Sequence, residues 1–331
     1  MEKKNKNINV GVIGVGHLGR HHTKHYAQLK CANLIGVYDI DQQAREETAV
    51  KYNTKSFDSM RALIKEVDAV SIVTPTHQHK VVAEYCIKRG KHVFIEKPIT
   101  KTLREANALI DLADKNKRLI QVGHIERLNP ALVPLSNIDI DPKYIEVQRL
   151  APYMSRGADV PVVLDLMIHD IDLVLAFVKA PVEQIQASGV SIMTRSVDIA
   201  NARIRFENGT VANITSSRVA KDRVRKLKVF QQDLYITIDF LIGLTEIYKV
   251  LDEDESDPEA TMSAPLESNG RNRKIFYEKP EIKKYDALEL ELKNFINSVQ
   301  GEATPIVDGV AGRNALDVAI QIHDKILEDL Q

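Results

Sequence analysis

Asp165, His169 and Asp172 stand at i, i+4 and i+7 in LDLMIHDIDLVLAFV, a stretch that is otherwise apolar apart from Asp170. A helix over 163–178 would place the three on one face, as a stripe of carboxylate, imidazole and carboxylate. Such a stripe faces a polar cavity or is satisfied internally, because burying it unpaired is expensive. Asp165 can orient His169 one turn away, which is what a general base needs. A closed hydrogen-bond network is the other reading of the pair, and a metal site of Asp, His and Asp lacks a supporting cluster. A second charged pair, Glu96 and Lys97, ends the apolar run 93–95 in HVFIEKP. Pro98 cannot donate to a sheet ladder, so this strand stops and delivers a carboxylate and an ammonium to its carboxyl edge.

The elements that position Glu96 and Lys97 are legible upstream. Residues 8–13 form a β-rich run, followed by Gly14-Val15-Gly16-His17-Leu18-Gly19 and a helix-compatible stretch to about residue 29. In a strand, glycine turn and helix of this kind, Gly14 allows the tight turn and Gly16 lets the backbone approach a pyrophosphate. Gly19 permits close packing of helix on strand, and the helix start with His17 and Leu18 supplies N–H donors for the phosphates. A second strand over 34–38 ends in Asp39, 20 positions after Gly19, where an acid meets ribose hydroxyls. Ile40 and Asp41 beside it offer no cation for a ribose phosphate, so NAD is expected over NADP.

Helices over 42–51 and 60–65, a strand over 69–73, a helix over 78–89, the HVFIE strand, a helix over 103–117 and a strand over 119–122 continue the alternation. Strand and helix in regular turn predict a doubly wound parallel sheet with its ligands at the carboxyl ends of the strands. Glu96 and Lys97, and at another strand end Thr74, Pro75 and His79, are expected beside the dinucleotide; pairing with a neighbouring cation is the alternative for Glu96, and capping of the next helix for His79. His21 and His25, four apart, read as a solvated helical face, since a metal would lack a third ligand.

After residue 123 the rhythm changes, which divides the chain into 1–123 and 124–331, the last helix being free to pack back on the first part. Strands are expected over 144–150, 182–192, 199–206, 211–216, 225–230, 235–239 and 245–250, with Asn208-Gly209 as a hairpin turn. Strands in succession predict a mostly antiparallel sheet. Residues 251–272, acidic and without periodicity, read as a long loop. Helices over 287–299 and 310–330 close the chain, with Asp308 as the N-cap of the last.

The 331 residues are 44% hydrophobic and 27% charged with a net charge of −1, which suits a globular protein of two domains. Near neutrality argues against binding driven by bulk attraction to nucleic acid or to an anionic membrane. No run of some 18 or more apolar residues offers a membrane span, and MEKKNKNINV is no secretory leader. Cys31 and Cys86, the only cysteines, fit a reducing cytoplasm as small buried hydrophobes.

GVIGVGHLGRHH, TPTHQHKVVAEYCIKRGKHVFIEKP and LDLMIHDID, in that order, resemble the Gfo/Idh/MocA family of oxidoreductases, and the likeness runs over nearly the whole chain. The resemblance implies an N-terminal Rossmann domain and a C-terminal α/β domain whose open sheet carries substrate and often a homodimer or homotetramer interface. It implies oxidation or reduction of a secondary alcohol or ketone on a sugar or polyol with NAD or NADP. It assigns the reaction to Lys97, Asp165 and His169, and DVPVVLD departs from the glycine-rich approach to the Asp that the family often has. VGHIERLNPA, RLAPYMSR and VVLDLMIHDIDLVL resemble bacterial members that oxidise C3 of UDP-N-acetylglucosamine. Arg127, Arg149, Arg156 and Arg218 are then expected at the substrate, since guanidinium groups suit a diphosphate; ordinary surface cations are the alternative. A free-polyol dehydrogenase such as one for inositol, a glycosidase using NAD transiently, and a non-catalytic dinucleotide sensor are the competing functions.

Overall fold

The computed structural model describes residues 7–154, 160–268 and 270–330, which form two compact units. The first holds the described residues up to Leu128 together with Asp286–Asp317. Its sheet is built from β1 (Ile8–Ile13), β2 (Ala32–Tyr38), β3 (Lys55–Ser56), β4 (Ala69–Ile72), β5 (His92–Glu96) and β6 (Ile120–Gly123), in the order β3-β2-β1-β4-β5-β6. Every pairing is parallel. β4 is buried throughout, and Val93, Phe94 and Ile95 of β5 are fully buried, as strands covered on both faces require. The strand order reverses between β1 and β4, the switch point at which such sheets bind dinucleotides.

Helices α1 (His17–Gln28), α2 (Gln42–Lys51), α3 (Met60–Glu66), α4 (Thr76–Ile87) and α5 (Leu103–Asn116) join these strands. Their starts follow local chemistry. Asp41 and Ser59 accept from the N–H groups of Ala44 and Ala62, and Thr102 with Glu105 forms a reciprocal capping box. A helix from late in the chain, α7 (Ala287–Gln300), caps itself with Asp286 and ends at Gly301 with φ +79°. It places Leu292, Phe295 and Ile296 among Val10, Val12, Tyr26 and Phe94, with the Phe94 and Phe295 rings edge-on at 5.8 Å. The first turns of α8 (Gly309–Asp329) lie on β6, where Gly312 has no room for a side chain against Val122. The compact unit therefore takes in one late segment, Asp286–Asp317, besides the stretch up to 123 that the sequence rhythm marks.

The second unit holds the described residues of Asn129–Tyr285 together with the chain from Val318. Its sheet contains β7 (Tyr144–Leu150), β8 (Val182–Val190), β9 (Ile199–Phe206), β10 (Val211–Ser217), β11 (Val224–Gln231), β12 (Leu234–Asp239), β13 (Leu244–Asp252), β14 (Met262–Ser268) and β15 (Arg271–Glu278). The order is β14-β15-β13-β12-β11-β7-β10-β9-β8, and β7 with β10 is its one parallel pair. Ile145, Val147, Leu227, Val229, Ile214 and Ile236 are buried on one face, while Tyr144, Phe230, Tyr235, Tyr248 and Tyr277 form a half-buried ladder of rings on the other. The long loop expected over 251–272 is instead largely sheet: β13 runs on to Asp252 and β14 pairs with β15. Lys249 holds the connection by pairing with Asp257 and with Glu278. Pro265 is tolerated because β14 is an edge strand. Among the described residues no helix is long and apolar enough to cross a membrane.

Candidate active site

The glycine turn has the shape a dinucleotide needs. Gly14 has φ +90°, donates its N–H to Tyr38 O at 2.8 Å, and a Cβ there would lie 2.6 Å from Val73 O. A Cβ on Gly19 would fall 1.9 Å from Gly14 O, so α1 can sit this close to the turn only without a side chain. Gly16 is the reverse: nothing lies within 4 Å of where its Cβ would be. Gly16, His17 and Leu18 are exposed, and no acid stands in the first turn of α1. Bare N–H groups, an unopposed helix dipole and an open approach at Gly16 fit a pyrophosphate. His17 leans edge-on against exposed His21 at 5.1 Å.

Asp39, at the end of β2, accepts the Val15 N–H at 2.7 Å through Oδ2 and the Asp41 N–H at 3.0 Å through Oδ1. It thereby ties the glycine turn to the β2 edge and presents its carboxylate where the adenosine ribose of a bound dinucleotide would lie. Exposed Ile40 and the N-cap Asp41 follow it, and Arg45 is engaged by Asp58 at 2.9 Å. These residues fit a nicotinamide dinucleotide, which supplies an acceptor and donor of hydride when bound.

At the next strand ends, Thr74 is half-buried and Pro75 is exposed. His79 is 1% exposed, its Nδ1 2.9 Å from Pro98 O and its Nε2 2.8 Å from Thr74 O. It braces the segment after β4 against the segment after β5, and burial pushes its pKa down despite the two carbonyl partners. α4 begins at Thr76, directly after Pro75, earlier than the sequence suggests. Glu96 and Lys97 end β5, both half-buried. Glu96 Oε1 lies 2.9 Å from His22 Nε2, and Oε2 accepts the Lys97 N–H at 3.3 Å. Burial alone would raise the Glu96 pKa; the hydrogen bond and charge interaction with His22, and then the Lys97 charge, outweigh it and hold the carboxyl below its ordinary value. His25, expected on a solvated face, is 4% exposed against Asp286 at 3.3 Å, and burial lowers its pKa.

In the second unit the polar stripe begins with one turn of π-helix, Val163–Met167, continuous with α6 (Ile168–Val178). Ile168 N–H reaches back to Val163 O, five residues earlier. The wider turn brings residues four apart close to eclipse, and such turns gather at functional sites. Asp165 and His169 stay half-buried, whereas Asp172 is 1% exposed inside the unit. The stripe thus divides into two half-buried groups, Asp165 and His169, and a buried carboxylate, Asp172.

The expected arginines separate. Arg149, on β7, is 3% exposed and grips Asp170 of α6 through two bonds, Nε to Oδ2 at 2.8 Å and Nη2 to Oδ1 at 2.7 Å. Arg218 is 5% exposed, donates to Val160 O and lies 4.0 Å from Asp198. Both are buried beside carboxylates of the second unit. Arg127 is half-buried in the 3-10 turn Ile125–Leu128 of the first unit. Arg156 lies outside the described residues. His22 is the residue that the sequence reading passed over. Its signal was the spacing Gly19, His22, Thr23 and Tyr26, the buried face of α1.

Residues 8–124 match the oxidoreductase family with an NAD-binding Rossmann fold, and residues 146–236 match the GFO/IDH/MocA C-terminal domain. The chain is 38% identical to the UDP-N-acetylglucosamine 3-dehydrogenase of Acidithiobacillus ferrooxidans over 98% of its own length and 99% of that protein. A solved structure of that dehydrogenase superposes with a TM-score of 0.88, covering 98% of this chain and 100% of that one. The myo-inositol 2-dehydrogenase of Thermotoga maritima is 26% identical over 93% of each chain. These likenesses make the chain a member of the Gfo/Idh/MocA family of oxidoreductases, which carry a nicotinamide dinucleotide on a Rossmann fold.

Proposed function

We propose that the protein oxidises the C3 hydroxyl of UDP-N-acetylglucosamine, or of a close UDP-N-acetylhexosamine, to the ketone with NAD. The observation that carries the substrate is the collinear, full-length likeness to the Acidithiobacillus dehydrogenase. Gly14, Gly16 and Gly19 shape the pyrophosphate turn, His17 and Leu18 open α1 beside it, and Thr74 and Pro75 border it. Asp39 takes the ribose hydroxyls, and its carboxylate disfavours a ribose phosphate, which is the reason for NAD over NADP.

Loss of hydride from a carbinol carbon leaves positive charge there unless the hydroxyl proton departs. His169 is the base that takes that proton, with Asp165 holding its ring; Lys97 donates to the same oxygen and stabilises developing alkoxide. Arg127 and Arg156 are the cations proposed for the diphosphate. The open face of the nine-stranded sheet, with its ladder of five rings, is the surface proposed for a homodimer or homotetramer.

The test is a panel of UDP-sugars and free polyols, each assayed with NAD and NADP for reduced cofactor, with the ketone trapped. UDP-N-acetylglucosamine with NAD should turn over fastest, and UDP alone should raise the unfolding temperature, because a ligand bound only by the folded state stabilises it. Turnover of inositol without any turnover of UDP-sugars, or no protection by UDP, would overturn the reading.

A further inference from the structure

Beneath the glycine turn the first unit buries a polar chain that none of these roles uses. Tyr26 donates its hydroxyl to Ser71 Oγ at 3.4 Å, Ser71 Oγ lies 2.9 Å from His22 Nδ1, and His22 Nε2 lies 2.9 Å from Glu96 Oε1. Tyr26, Ser71 and His22 are at most 1% exposed, and the Phe94 ring meets His22 edge-on at 5.4 Å. One order of donors satisfies every member. Burial pushes the Tyr26 phenol far up, so it keeps its proton and gives it to Ser71. Ser71 then has its own hydrogen to give to His22 Nδ1, and a neutral imidazole with Nδ1 as acceptor carries its N–H on Nε2, toward Glu96. Ser71 Oγ can accept two hydrogen bonds, so an imidazolium also fits this geometry, and the variants below distinguish the two. With the imidazole neutral, the chain carries one negative charge, on Glu96.

Topology says what that charge faces. Asp39 ends β2, on the adenosine side of the switch point between β1 and β4, so the strands β4, β5 and β6 make the half of the sheet that receives the nicotinamide. Glu96 ends β5, paired with Gly123 of β6, where a Cβ would lie only 3.0 Å from its Oε2. Three side chains are thus spent on holding a carboxylate at that end.

We propose that Tyr26, Ser71 and His22 are positioning residues that hold Glu96 as a fixed negative charge at the nicotinamide end of the cleft, so that the protein binds the oxidised cofactor in preference to the reduced one. The proposal rests on the functional reading above only in placing the nicotinamide over β4–β6. The oxidised ring is cationic and the reduced ring is neutral, so a carboxylate held in a water-poor site attracts the first and is indifferent to the second. Lys97 is the nearby cation whose charge also bears on Glu96. The same bias eases release of reduced cofactor.

The experiment measures dissociation constants of the full chain for NAD and for NADH without substrate, by calorimetry and by NADH fluorescence. Glu96→Gln keeps an acceptor for His22 and removes the charge, and should weaken NAD about tenfold while moving NADH less than about threefold. Glu96→Asp should retain most of the wild-type ratio. His22→Gln, whose amide still donates to Glu96, should leave the ratio within about threefold. Equal weakening of both forms by Glu96→Gln overturns the proposal, as does an NAD preference that rises about tenfold in His22→Gln, which would mark an imidazolium cancelling Glu96. His22→Gln decides the matter if Glu96→Gln does not fold. A wild-type chain that binds neither form defeats the functional reading itself, whereas an unchanged ratio in Glu96→Gln defeats only this inference.

Discussion

In the proposed reaction Lys97 and His169 act on one oxygen by different means, and the loss of either is measurable. A base that removes the hydroxyl proton and an ammonium that stabilises developing alkoxide act on the transition state far more than on cofactor binding. Lys97→Met and His169→Ala should each lower kcat by about 10²–10⁴-fold, while NAD affinity, read by calorimetry, stays near wild type. Full turnover in both variants would remove them from the reaction. Lys97, Asp39 and the three glycines were legible because each sits at a strand end in a motif whose spacing has a mechanical reason. His22 was not. A histidine in the second turn of an amphipathic helix reads as surface, and only the fold shows that its face turns toward the sheet and meets Glu96, 74 positions away in the chain. Arg149 and Arg218 carry the converse lesson: sequence shows a cation, but not whether a buried carboxylate waits for it.

At the scale of elements, α6 is anchored to the sheet by the bidentate Arg149–Asp170 pair, with side chains 4% and 1% exposed. Breaking a buried pair from one side leaves a charge stranded away from water, which costs about 3–5 kcal/mol. Asp170→Asn should lower the stability of the second unit by about that amount in urea unfolding. The double replacement Arg149→Met with Asp170→Leu, which removes both charges of the pair, should lose less than Asp170→Asn alone; a larger loss would show that the pair itself holds α6. The helix was plain from its apolar run, but the π-turn at its start was not, because nothing in VLDLM distinguishes a bond to the fifth residue back from one to the fourth. The β14–β15 hairpin could have been found. Asn269-Gly270 carried the turn signal, and the acidic stretch before it masked the strands on either side.

At the scale of the whole molecule, the alternation of strand and helix announced the first sheet, and the later succession of strands announced the second. Which core the late helices complete could not be read, because an amphipathic pattern names an apolar face and not its partner. α7 supplies the missing partner: Leu292, Phe295 and Ile296 are each fully buried in the first unit, beside Val10, Val12 and Phe94. The continuous stretch up to Leu128 therefore lacks part of its own core. Fully burying a Leu, Ile or Phe side chain contributes roughly 1.5–3 kcal/mol each, so losing three is comparable to the whole stability of a typical domain, about 5–15 kcal/mol. A fragment ending at Leu128 should keep helical far-UV dichroism but lose fixed near-UV signals, bind a hydrophobic dye and fail to bind NAD, the marks of a collapsed chain without specific packing. Joining Asp286–Asp317 to that fragment through a flexible linker should restore cooperative unfolding and NAD binding. A fragment ending at Leu128 that unfolds cooperatively and binds NAD unaided would show that α7 only decorates the Rossmann sheet.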